Sequence, residues 1–146
     1  MSSVELFVGL KIPDTTAITT LHTIEKMGVS IKKVKRELYY KFEVNGDASS
    51  FSSEISKVDL LVNANKNTAS EKLEKEEGAF YILVKDSDDG CAGLLHTLQE
   101  RLGLKEIKKM EKGVLWVLYV DSEEIAKEIA SKLLFNENYQ EIEVLW

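Results

Sequence analysis

From Val4 to Lys11 the chain reads Val-Glu-Leu-Phe-Val-Gly-Leu-Lys, an alternation that sets Val4, Leu6, Val8 and Leu10 on one face of a strand. A loop at Pro13-Asp14 follows, in which Asp14 or Thr15 caps a helix. Its apolar stripe is Ile18, Leu21, Ile24 and Met27, and Gly28 closes it. Alternation then returns: Leu38, Tyr40, Phe42 and Val44 point one way, and Glu37, Tyr39, Lys41 and Glu43 the other, which describes a half-exposed strand. A second helix starts near Asp47, with Phe51, Ile55 and Val58 as its stripe.

The same order of patterns recurs. Leu21-His22-Thr23 reappears as Leu95-His96-Thr97, the strand 79–85 echoes the first strand, and Leu94, Leu95, Leu98 and Leu102 run up to Gly103 as the helix stripe. The stretch from Val34 lies over that from Met110 at a shift of 76, and Leu61-Val62-Asn63 over Leu134-Phe135-Asn136 at a shift of 73. A helix with Ile125, Ile129 and Leu133 starts near Asp121-Ser122. Ile142, Val144 and Trp146 form a last strand with no convincing counterpart in the first copy, whose equivalent region becomes the charged run Ser70–Gly78, so the first copy should have the weaker last strand. The division is therefore residues 1–70, a charged linker 71–78, and residues 79–146. Each half reads as strand, helix, two strands, helix and a possible fourth strand. The expected fold class is α+β, as two tandem ferredoxin-like βαββαβ units whose antiparallel sheets carry their helices on one face.

The helix-free side of such a sheet needs a cover. In the second copy it is apolar: Tyr81, Leu83, Leu115, Val117 and Tyr119 share it, with Tyr39 at the corresponding place in the first. Strands apolar on both sides are buried on both, so these six residues are the expected interface between the two sheets or with a second molecule. That makes the assembly a homo-oligomer or an intramolecular pseudo-dimer.

Composition narrows the function. Apolar residues make up 44% and charged ones 30%, no stretch suits a membrane span, and Met1-Ser2-Ser3 leads straight into a strand pattern with no signal peptide. One cysteine, Cys91, allows no intrachain disulfide, which fits a reducing cytoplasm. A net charge of −6 argues against nucleic acid. The basic run Lys32-Lys33-Val34-Lys35-Arg36 reads as a solvated strand edge that blocks sheet-to-sheet aggregation.

Candidate chemistry is sparse. Cys91 sits near a helix start, yet His96 points about 140° away around the helix, so the thiol reads as a small buried group. Asp86, Asp88, Asp89 and Gly90 lack the remaining ligands of a calcium loop and read as loop and cap. His22 and His96 have no recurring acidic or cysteine partner and read as partly buried helix residues. No catalytic, cofactor or metal site is expected.

The residues nonetheless resemble PurS, the small accessory subunit of phosphoribosylformylglycinamidine synthase. Val4–Lys11 matches its opening V-x-V-x-V-x-L-K, Leu102-Gly103 its first helix end, and Ile31–Arg36 and Lys112-Gly113 parts of its basic strand. Leu133–Ile142 is similar to its ending, L-L-x-N-P followed by an acidic-aromatic strand. The resemblance runs once through each half. It implies a non-catalytic subunit of purine biosynthesis that bridges a synthetase (PurL-type) and a glutaminase (PurQ-type) subunit of an ATP-dependent amidotransferase, with the tandem standing for a covalent dimer. The alternative is a tandem ACT-like amino-acid-binding regulatory module, suited by the Asp86–Gly93 loop that leads into a helix.

Overall fold

The computed structural model describes residues 2–11, 14–58, 61–62, 67–70, 77–86, 92–134 and 140–144. The first half contains β1 (Ser2–Leu10), α1 (Thr15–Lys26), β2 (Lys33–Val44), α2 (Ala48–Ile55) and β3 (Asn67–Ser70). The second contains β4 (Ala79–Asp86), α3 (Ala92–His96, continued by a π-helical turn Thr97–Arg101), β5 (Ile107–Tyr119), α4 (Glu123–Ile129, continued by a π-helical turn Ala130–Leu134) and β6 (Gln140–Val144).

Local chemistry sets the helix ends. The Asp14 carboxylate accepts the backbone N–H groups of Thr16 and Ala17, and Asp47 those of Ser49 and Ser50, so amides that lack an intrahelical partner are satisfied. The Ser50 hydroxyl also donates to Asp47, and together with the two amides it holds that carboxyl below its ordinary value. The Ser122 hydroxyl accepts from Ile125. Gly28 and Gly103 follow the first helix of each half at φ of 83° and 72°, backbone that a side chain rarely tolerates.

Among the described residues, six strands form one antiparallel sheet in the order β3-β1-β2-β5-β4-β6. Two separate sheets, packed against each other or against a second molecule, were expected; instead β2 and β5 join edge to edge along their length, from Lys33 opposite Tyr119 to Val44 opposite Ile107. Nor does either half hold the anticipated pair of middle strands. Residues 33–44 contain no glycine, proline or asparagine to reverse the chain, and Gly113 lies within β5 without turning it. The last strand of the first half is the short β3, paired with β1.

The ladders repeat between the halves. Leu6 pairs with Tyr40 and Ile82 with Trp116, both partners moved by 76 (6 to 82, 40 to 116). Val8 pairs with Ala69 and Val84 with Ile142, moved by 76 and by 73 (8 to 84, 69 to 142). At the seam Leu38 faces Val114, itself 76 residues on, so this pair maps onto itself when the halves are exchanged. The helices carry a further small difference. Leu21 to Leu95 is 74 residues but Gly28 to Gly103 is 75, and the π-helical turn Thr97–Arg101 lies within that interval.

The four helices of the described residues lie on one face of the sheet, as expected, and each core cluster there draws on both halves. Phe51 and Ile55 of α2 meet Leu98 and Leu104 over Leu6, Phe42 and Ile107. Ala17 and Ile24 of α1 meet Ala126 and Ile129 over Ile82 and Leu118. The α1 stripe is rotated from the expected one. Ala17 and Ile24 are buried, whereas Ile18 is 44% and Met27 41% exposed.

Candidate functional site: the helix-free face

On the opposite face, period-two alternation brings Phe7 from β1, Tyr39 from β2, Leu115 and Val117 from β5, and Ala79, Tyr81 and Leu83 from β4 into one cluster, with Tyr119 packed at its margin. All six residues singled out from the sequence, Tyr39, Tyr81, Leu83, Leu115, Val117 and Tyr119, are brought together here. Five of them are already buried within the single chain, Leu115 completely, and Tyr119 is half-buried. Their withdrawal from water therefore requires no second molecule. Sequence reasoning missed Phe7, whose signal was its place between Leu6 and Val8, on the side opposite the strand's main stripe.

A cross-strand row organises one end of the cluster. Phe7 pairs with Tyr39, Tyr39 with Gly113, and Gly113 with Lys85. The Phe7 and Tyr39 rings are tilted at 50° with centroids 5.4 Å apart, and the Tyr39 hydroxyl donates to Glu5 Oε2 at 2.7 Å. Lys85 Nζ lies 5.9 Å from the Tyr39 ring centroid and 3.7 Å from Glu111 Oε2. At the other end Lys35 Nζ lies 5.6 Å from the Tyr119 centroid. Burial pushes the Glu37 carboxyl up, while neighbouring Lys35 pulls it back down. Chemically this is an apolar floor with a rim of cations, carboxylates and tyrosine hydroxyls, suited to packing and recognition.

The other sequence candidates lie elsewhere. His22 and His96 are exposed rather than partly buried, because each helix turns its neighbours Leu21 and Leu95 toward the core. The basic run 32–36 opens β2, which β5 pairs on one side from Lys33 onward, while the β1 ladder stops at Val8–Leu38 and leaves residues 33–37 without a β1 partner on the other side. Cys91, Asp88, Asp89 and Gly90 fall outside the described residues, and with them the core of the loop behind the amino-acid-binding alternative. Among the described residues no group of three His, Cys, Asp or Glu could hold a metal ion, and no helix is long and apolar enough to cross a membrane. No protein-family model matches the chain, and no curated protein matches it.

Proposed function

We propose that this chain is a non-catalytic accessory subunit of PurS-like type, two copies of one small unit fused in tandem, that helps assemble an ammonia-channelling glutamine amidotransferase for phosphoribosylformylglycinamidine. The single observation that supports it is the recurrence of strand registers at offsets of 76 and 73, meeting at the self-equivalent pair Leu38–Val114. A chain of two such halves in one sheet has the form of a covalently joined dimer of PurS-like units. Its partners are a synthetase (PurL-type) and a glutaminase (PurQ-type) subunit, and its place is the cytoplasm. Catalysis belongs to those partners.

The test is reconstitution of the synthetase and glutaminase from the same organism with and without this chain. Glutamine-dependent turnover and a ternary peak on a sizing column are expected only when it is present. Equal turnover without it, and no co-elution, would remove the pathway assignment.

A further inference from the structure

Ser52 is only 3% exposed, yet its hydroxyl has no hydrogen-bond partner among the described residues. A buried hydroxyl ordinarily finds one, because leaving it unpaired forfeits its hydration for nothing in return. Ser52 lines a cleft of about 340 Å³ between α2 and the start of β1, together with Ala48 and Ser49 of the helix and Ser3 and Glu5 of the strand. The helix contributes only small side chains here, so the space beside the strand stays unfilled.

The strand side of this cleft is a sheet edge. The Gly9 carbonyl accepts from the Asn67 side chain of β3, so it points away from β2, and the period of two gives the backbone groups of Phe7, Glu5 and Ser3 the same outward direction. The described β3 pairs with β1 only from Phe7 to Leu10, which leaves the outward N–H and C=O of Ser3 and Glu5 without a partner strand among the described residues. Backbone donors and acceptors that repeat along a strand, beside a buried hydroxyl, match an extended peptide. Glu5 and Lys41, the charged residues at the cleft, are opposite in sign and face each other in the β1–β2 ladder, so the occupant has no net charge to answer.

We propose that an extended segment of another protein adds to the sheet here as a strand on β1, its backbone paired with Ser3 and Glu5 and an uncharged hydrogen-bonding side chain, threonine or asparagine, set against Ser52. The β1 of a second copy does not suit the cleft: its Val4 and Leu6 face its own helices at 6% and 0% exposure, which leaves that strand no side chain to place beside Ser52. The site does not depend on the purine pathway.

Selection of a displayed library of random octapeptides on the full chain, followed by anisotropy titration and amide-exchange NMR with the selected peptides, tests this. The peptides should share a threonine or asparagine and bind one per chain. Ser3→Pro removes an outward N–H where an edge strand tolerates proline, so the melting temperature should hold while binding falls about tenfold or more. Ser52→Ala deletes an unpaired hydroxyl, so it should leave the melting temperature unchanged or raised and weaken binding about threefold or more. In the free chain the amides of Ser3 and Glu5 should exchange faster than those of Val4 and Leu6, and slow on binding. Failure to enrich any peptide, or wild-type affinity in either variant, would overturn the assignment. So would slow exchange at Ser3 and Glu5 in the free chain, which gives the edge to the chain's own continuation past Ser70 if it is independent of concentration and to a second copy if it is not.

Discussion

Lys85 and Tyr39 meet across a residue with no side chain: the ammonium lies 5.9 Å from the ring centroid, and Gly113 sits between them in the cross-strand row. A Cβ at Gly113 would stand 2.5 Å from the Val84 carbonyl oxygen, which is backbone and cannot swing aside. Gly113→Ala should therefore cost roughly 1–3 kcal/mol, as overpacking does. Gly9→Ala meets the Thr68 hydroxyl at 3.2 Å, a side chain that can rotate, and should cost clearly less. Urea denaturation of the two variants side by side checks the order.

Leu115 is completely buried on the helix-free face. Leu115→Ala should lower stability by about 2–5 kcal/mol, the usual range for emptying a core leucine site. Because the chain buries this residue by itself, the loss should be independent of protein concentration. Melting curves over a hundredfold dilution series test that, and a loss confined to concentrated samples would place the face in an oligomer interface.

Glu37 gives stability a pH dependence of defined sign. Burial raises its pKa in the folded chain above the ordinary 4.5, so the folded state holds the proton more tightly than the unfolded one. That contribution is complete below the unfolded pKa and is lost as pH rises through the folded value. Glu37→Gln should thus gain stability relative to the wild type at pH 7.5, with the gain disappearing as pH falls below 4.5. Urea midpoints at both ends of the range decide it.

The two aspartate caps stabilise their helices through different partners. Asp47 has a lowered pKa, chiefly through the Ser50 hydroxyl, so its contribution is present above the unfolded pKa and disappears as pH falls through the folded value. Asp47→Ala should therefore be destabilising at pH 7 and nearly silent in strong acid. Asp14→Ala removes a cap and strands the Arg36 guanidinium, and should cost about 1–2 kcal/mol at pH 7. Chemical denaturation of each variant from pH 2.5 to 7 measures both.

Much of this was legible in the sequence because it is local. Asp14, Asp47 and Ser122 announce helix starts, Gly28 and Gly103 mark ends, and alternation assigns the strand faces, including six residues of the helix-free cluster. What stayed hidden depends on distant partners. Glu37, Lys41 and Glu43 make β2 look half-exposed, yet backbone pairing with β5 occupies its edge. Asn67-Thr68-Ala69-Ser70 carries no apolar alternation, and only β1 makes it a strand. The rotation of the α1 stripe follows from α4 packing beside it, which nothing within residues 15–26 records. The cleft at Ser52 lies beside the part of β1 that the described β3 leaves unpaired, an extent that no single segment encodes.

The seam at Leu38–Val114 also bears on how the molecule is assembled. Forming it closes a loop from β2 to β5, so until the second half arrives the first carries β2 as an open strand edge, and contacts this distant in sequence form slowly. During that interval the edge has no means of telling its own β5 from that of another molecule, because the ladder presents the same register either way. Chains refolded at high concentration should accordingly exchange halves and yield dimers with two intermolecular seams, whereas refolding at high dilution should restore the sheet closed within one chain.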